Sequence, residues 1–101
     1  MSKAAGTDAE HRCIRDLEAA GYLCTRSAAS LGVFDVVAVG PNGVRLVQVK
    51  RDSDGRSLRP VELEAVREEL RGVCVPENCT RELWVGRVHR RRFQWIRQEV
   101  I

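Results

Sequence analysis

A hairpin pattern in the middle of the chain constrains the fold more than any other feature. The tetrapeptide GPNG at residues 40–43 separates two runs rich in β-branched residues, 33–39 and 44–50. Such runs on either side of a short turn predict two antiparallel strands. Because side chains alternate along a strand, Asp35, Gln48 and Lys50 fall on one face of this hairpin. A four-residue loop places Asp35 opposite Gln48, and a two-residue loop places it opposite Lys50.

The remaining patterns predict the order α-β-β-β-α-β-β in a single domain, residues 1–101. One helix is expected from an N-cap at Thr7 to a stop at Gly21, and a second from Pro60 to a stop at Gly72. The other strands are expected at residues 22–25, 82–88 and 92–97. This order predicts an α/β fold with a mixed sheet flanked by helices.

Composition narrows the class of protein. No run approaches the roughly 18 apolar residues of a membrane span, and the N-terminus lacks the apolar core of a signal peptide. An intracellular protein without a membrane partner is therefore expected, acting in the cytoplasm or nucleoid or, if it is virus-encoded, in the host cell. The four cysteines are not spaced like zinc ligands and are expected to be reduced thiols.

Charged residues within the predicted core face suggest a site. The chain has 15 arginines and only two lysines, so Lys50 in a predicted strand stands out. Glu10 lies along the apolar stripe of the first helix, although Thr7 and Glu10 also have the spacing of a capping box. Asp35 and Lys50 could form a simple ion pair, but two carboxylates, an amide and a lysine on one face suit Mg²⁺ beside a phosphate.

A second cluster of charge lies near the C-terminus. The segment RVHRRR at residues 87–92 contains four arginines. Such a cluster can neutralise phosphates, which makes Arg90, Arg91 and Arg92 candidate DNA contacts. A solvated hairpin tip is the alternative interpretation.

The arrangement of Glu10, Asp35 and Gln48-Val-Lys50 resembles the PD-(D/E)XK nuclease superfamily. Within it, residues 6–72 are similar to archaeal-type Holliday junction resolvases. The matching positions are Gly6, Glu10, Tyr22, Arg26, Ser27 or Ser30, and the DVVA segment at residues 35–38. The resemblance implies a restriction-endonuclease-like α-β-β-β-α-β core.

The resemblance also implies roles for individual residues. Mg²⁺, or Mn²⁺ in its place, is expected to bind Glu10, Asp35, Gln48 and the carbonyl oxygen of Val49. The catalytic set would be Glu10, Asp35, Gln48, Lys50 and Ser30. The DNA-binding set would be Arg26, Ser30, Arg51, Arg90, Arg91 and Arg92.

The expected function is Mg²⁺-dependent hydrolysis of phosphodiester bonds at four-way DNA junctions, in recombination and repair, by a homodimer. A repair or restriction-type nuclease acting on duplex or flap DNA would use the same residues. The family usually has Glu at the position of Gln48, and the loss of that charge keeps a non-catalytic DNA-binding protein as a further alternative.

Overall fold

The computed structural model describes residues 2–27, 33–52 and 57–101. The helices are α1 (Ser2–Ala19) and α2 (Pro60–Arg71), and the strands are β1 (Leu23–Arg26), β2 (Val36–Gly40), β3 (Gly43–Arg51), β4 (Cys79–His89) and β5 (Arg92–Glu99). The five strands form one sheet in the order β1-β2-β3-β4-β5, in which β3 and β4 are parallel and the other neighbours antiparallel. The predicted α/β class and mixed sheet are confirmed. Neither helix in the described part of the chain is long and apolar enough to cross a membrane.

The predicted start of the first helix was wrong. Helix α1 begins at Ser2, and Thr7 lies inside it. The alanines at positions 4 and 5 favour helix over a cap further along. The predicted end at Gly21 is confirmed, because Gly21 has a φ of 97°. There the N–H of Tyr22 donates to the carbonyl oxygen of Leu17 at 3.0 Å, which closes the helix in a Schellman-type cap.

The sheet separates two apolar clusters, one under each helix. The first joins Ala9, Cys13 and Leu17 of α1 to Val36, Ala38, Val47, Val49 and Trp84 of the strands. The second joins Leu63, Val66 and Leu70 of α2 to Phe34, Leu46, Leu83 and Val85. Alternation along β3 therefore directs its odd-numbered residues toward α1 and its even-numbered residues toward α2.

The register of β2 and β3 is the one expected for a loop over residues 40–43, although Gly40 and Gly43 themselves pair and leave only Pro41 and Asn42 as the turn. Val39 pairs with Val44 and Gly40 with Gly43. Gly43 has a φ of 144°, and a Cβ at this position would lie 2.5 Å from the carbonyl oxygen of Asn78. The backbone conformation and this close approach both require glycine at the end of the turn. Strand β2 begins later than predicted, at Val36.

A crossover through α2 makes the parallel pairing of β3 and β4 possible. As predicted, α2 begins at Pro60 and ends before Gly72. Its first turn has a feature that the sequence analysis missed: the carboxylate of Glu62 accepts a hydrogen bond of 2.8 Å from the backbone N–H of Arg59. This contact satisfies one of the free N–H groups at the helix start.

The carboxylate of Glu82 links β3 to β4 within the core. Glu82 is buried, and it accepts two hydrogen bonds from Arg45, at 2.7 and 2.8 Å. Further bonds come from the hydroxyl of Thr80 at 2.7 Å and the indole N–H of Trp84 at 2.9 Å. Burial alone would raise the pKa of Glu82, but the hydrogen bonds from Arg45, Trp84 and Thr80 outweigh it and hold the pKa below its usual range.

The cysteines are free thiols, and they differ in exposure. Cys13 lies on the inner face of α1 and is fully buried, and burial raises the pKa of its thiol to about 12. At neutral pH this thiol is protonated and packs as a small apolar group.

We predict that Glu82→Gln lowers the free energy of unfolding by about 2–3 kcal/mol at pH 7, because it removes the charge opposite a partly buried guanidinium. Urea denaturation measures this difference. The gap between wild type and variant should narrow as the pH falls below 4.5, the ordinary value for a glutamate, since a protonated Glu82 resembles Gln. Glu64→Gln is the matched control on the exposed face of α2 and should change little; equal losses in both variants would contradict the prediction.

Candidate active site

Asp35 lies at the point where β1, β2 and β3 come together. Its N–H donates to the carbonyl oxygen of Val47 at 2.8 Å, and its carbonyl oxygen accepts from the N–H of Ser27 at 2.8 Å. Its side-chain Oδ2 accepts from the N–H of Val49 at 2.9 Å. The carboxylate of Asp35, the residue before β2, thus accepts a backbone N–H of β3 through Oδ2, and Oδ1 takes no part in that bond.

The electrostatic environment of Asp35 is unfavourable for its charge. Burial raises the pKa of Asp35, and the negative charge of Glu10 raises it further. The hydrogen bond from Val49 and the positive charges of Lys50 and Arg26 act in the opposite direction without cancelling the effect. The charges of three other predicted site residues, Glu10, Lys50 and Arg26, therefore all affect the pKa of Asp35.

Gln48 and Lys50 are half-buried, and alternation along β3 puts them on its α2 side. The β2–β3 pairing ends at Val36 and Val47, and the N–H of Asp35 also donates to the carbonyl oxygen of Val47, so the expected pairing of Asp35 with Gln48 is not part of the ladder. Asp35 and Lys50 form no direct ion pair, although both belong to the described part of the chain. The structure therefore does not support the alternative that Asp35 serves only as an ion-pair partner of Lys50.

Glu10 does not form the capping box that its spacing with Thr7 suggested, since the helix starts five residues earlier. Its carboxylate instead accepts a hydrogen bond of 2.9 Å from Nε of Arg26 on β1. This ion pair is partly open to solvent, with 41% of the Arg26 side chain and 21% of the Glu10 side chain exposed. A salt bridge of this kind contributes little to stability, and its partners can be exchanged.

The other predicted residues are distributed around this end of the sheet. Arg51 ends β3, and Arg90, Arg91 and Arg92 are exposed at the turn between β4 and β5. Val49 is buried and belongs to the core under α1. Ser30 lies outside the described residues.

A contact between Asp52 and Arg87 was missed by the sequence analysis. The buried carboxylate of Asp52 accepts a hydrogen bond from Nε of Arg87. It also accepts one of 2.9 Å from the backbone N–H of Leu58. These bonds tie the segment that enters α2 to β4. No local pattern predicts this contact, because it joins residues 35 positions apart in the chain.

The donor groups at this site are oxygen atoms suited to a hard divalent cation. In the described residues no group of three or more His, Cys, Asp or Glu side chains is arranged to hold a metal. The predicted set contains two carboxylates, Glu10 and Asp35, and would be completed by an amide and a backbone carbonyl. A cation would relieve the unfavourable charge of Asp35, so the residues fit Mg²⁺ chemically.

Comparison with known proteins assigns no family to the chain, because no family model matches it and no curated protein matches it.

We predict that Asp35→Asn melts at a higher temperature than wild type at pH 7. The folded-state pKa of Asp35 lies above its unfolded value, so the folded protein binds this proton more tightly and loses stability as the pH rises through that pKa. Asparagine carries no charge and keeps an oxygen for the N–H of Val49. Thermal unfolding between pH 3 and pH 8 should show the difference disappearing below the ordinary pKa of 3.8. A variant less stable than wild type at pH 7 would contradict this account.

Proposed function

We propose that this protein is a metal-dependent DNA endonuclease of the PD-(D/E)XK type, with four-way junctions as its preferred substrate. The observation that carries the proposal is the charge environment of Asp35. Its carboxylate is half-buried, raised in pKa, and influenced together by Glu10, Lys50 and Arg26. Perturbed carboxylates concentrate at functional sites, and the influence of a second acid and a lysine on Asp35 supports a catalytic role.

The topology supports the same proposal. An α-β-β-β-α-β order with a single parallel pair is compatible with a restriction-endonuclease-like core. In such a core the acidic residue at the start of one strand and the lysine near the end of its neighbour share one end of the sheet. Asp35 directly precedes β2, and Lys50 is the last residue but one of β3, which supports this relation.

Mg²⁺ would be held by the carboxylates of Asp35 and Glu10, the amide oxygen of Gln48 and the carbonyl oxygen of Val49. When bound, the ion supplies charge stabilisation at a phosphate and lowers the pKa of a water molecule. Glu10 is paired with Arg26 in the free protein, so binding at this site requires the ion pair to open. Arg26 would then be available to a phosphate of the substrate.

The chain's own groups account for orientation and charge balance. The N–H of Val49 holds one oxygen of Asp35 and so fixes the direction of the carboxylate. Lys50 offers a compact ammonium with three donors, which can orient a water molecule or stabilise negative charge that develops on phosphorus-bound oxygens. Gln48 contributes an oxygen without adding to the negative charge that already disfavours ionised Asp35.

We also propose that the active form is a homodimer. Each chain has one Asp35 site, and symmetric cleavage of a four-way junction needs two. Sedimentation with and without junction DNA tests this proposal, and a monomer under both conditions at micromolar concentration would contradict it.

We predict that Lys50→Met lowers Mg²⁺-dependent cleavage of a labelled four-way junction by about 10²- to 10³-fold. Asp35→Asn should lower it at least as much while the protein stays folded. Both variants should still bind the junction in EDTA, because contacts to other phosphates are unchanged.

Glu64→Gln is the control for these variants, because Glu64 is an exposed acid on α2, and it should cleave like wild type. Undiminished cleavage by Asp35→Asn would refute the proposed active site. Cleavage of a matched linear duplex at the same rate would replace junction selectivity with a general or repair nuclease. Binding without cleavage by the wild type would favour a non-catalytic DNA-binding protein.

We further predict that Gln48→Glu lowers the Mg²⁺ concentration needed for half-maximal cleavage, because a third carboxylate strengthens the attraction for the cation. A titration of cleavage against Mg²⁺ measures the shift. The same variant should be less stable than wild type in EDTA, since it adds negative charge beside Asp35; an unchanged Mg²⁺ requirement would exclude Gln48 from the metal site.

A further inference from the structure

A strongly basic cavity lies on the α1 side of the sheet, next to the candidate active site. Its volume is about 460 Å³, and its lining includes Arg12, Arg15, Arg51, Arg91 and His11, with Asp8 as the one acid among the described lining residues. We call it the basic cavity. Four guanidinium groups around one opening repel each other, and the cavity is therefore most stable with an anion inside.

The basic cavity adjoins the Asp35 site through neighbouring residues of two elements. Arg51 follows Lys50 on β3, and alternation puts Arg51 on the α1 side and Lys50 on the α2 side. On α1, Glu10 is directly followed by His11, which lines the cavity. An extended ligand that passes around this end of the sheet can therefore contact both places.

The surroundings of two arginines in the basic cavity, Arg12 and Arg51, suit the binding of an anion. The guanidinium of Arg12 lies 4.0 Å from the centre of the Phe93 ring, and Phe93 in turn makes an edge contact with Trp95. This stacking fixes the plane of the guanidinium in advance. The Nε of Arg51 is buried and has no hydrogen-bond partner in the described parts of the chain. A buried donor without an acceptor is costly, which is the situation that an anionic ligand would correct.

The turn that carries Arg91 is strained. Strands β4 and β5 are joined by the two residues Arg90 and Arg91, whose φ angles are 52° and 64°. Two-residue turns of this geometry favour Asn-Gly, because other side chains are unfavourable at positive φ. Arginine at both positions keeps positive charge at the tip instead of the sequence that would stabilise the turn. Strain of this kind is a recognised mark of functional positions.

We propose that the basic cavity binds a phosphodiester group of the DNA backbone, beside the phosphate that the Asp35 site would cleave. This inference rests on the proposed nuclease function for its ligand. It places Arg51 and Arg91, which are already in the predicted DNA-binding set, in one cavity with Arg12, which is not in that set. The excess of positive charge favours a phosphate oxygen over a base edge, so these contacts carry affinity rather than sequence selectivity.

Junction binding in EDTA tests the proposal without any cleavage step. Fluorescence anisotropy with a labelled four-way junction is measured over a range of salt concentrations for Arg12→Gln, Arg51→Gln and wild type. Each cavity variant should bind about 5- to 10-fold more weakly, with a salt dependence that is smaller by about one unit of slope. Arg71→Gln is the matched control: it removes the same charge from the C-terminal end of α2, where Arg71 pairs with Glu64, and should bind like wild type.

The turn provides a second variant that cannot be explained by misfolding. The double substitution Arg90→Asn with Arg91→Gly should raise the melting temperature by about 5 °C, because it relieves two unfavourable φ angles. It should nevertheless weaken junction binding. A more stable variant with wild-type affinity would overturn the role of the turn.

The outcomes separate this inference from the proposed function. Cavity variants that bind like Arg71→Gln would overturn the basic cavity as a DNA contact, even if Asp35 proves catalytic. Arginine-dependent binding by a protein that never cleaves would keep the inference and reject the nuclease. Competition by inorganic phosphate or a mononucleotide at micromolar concentration would overturn the backbone ligand in favour of a small phosphorylated molecule.

Discussion

The parallel pairing of β3 with β4 is the constraint on which the other elements depend. Parallel neighbours need a crossover, so the pairing sends α2 across one face of the sheet and leaves the opposite face to α1. The buried carboxylate of Glu82 secures the pair, because its hydrogen bonds come from Arg45 on β3 and from Thr80 and Trp84 on β4. The end of β3 that carries Lys50 is consequently held firmly beside β4.

Buried Glu82 and half-buried Asp35 lie in environments that shift their carboxylate pKa values in opposite directions. Four hydrogen bonds surround Glu82, and its pKa falls. At Asp35, burial and the charge of Glu10 raise the pKa, and the backbone hydrogen bond and the nearby positive charges do not cancel this rise. The first arrangement stabilises the fold, whereas the second leaves unfavourable energy that a bound cation could relieve. A small domain can accept this cost at one position because Glu82 and the two apolar clusters stabilise the rest.

The arginines also fall into two groups: some are bonded to other parts of the fold, and others have guanidinium groups that could bind a ligand. Arg45 and Arg87 are held by buried carboxylates, and Arg81 donates to carbonyl oxygens at the end of α2. Arg90 and Arg91 are exposed on a strained turn, and Arg51 keeps a buried donor without a partner among the described residues. Composition alone treats all 15 arginines as equal, and only their neighbours in space distinguish them.

The sequence by itself determined the local features: the hairpin around Gly43, the end of α1 at Gly21 and the start of α2 at Pro60. Each follows from backbone geometry or from alternation over a few residues. The tertiary structure alone decided that Glu10 binds Arg26 instead of capping a helix, that Asp52 holds Arg87, and that arginines from α1, β3 and the last turn surround one cavity. These contacts join residues far apart in the chain, and their energies depend on burial and distance, which no local pattern encodes.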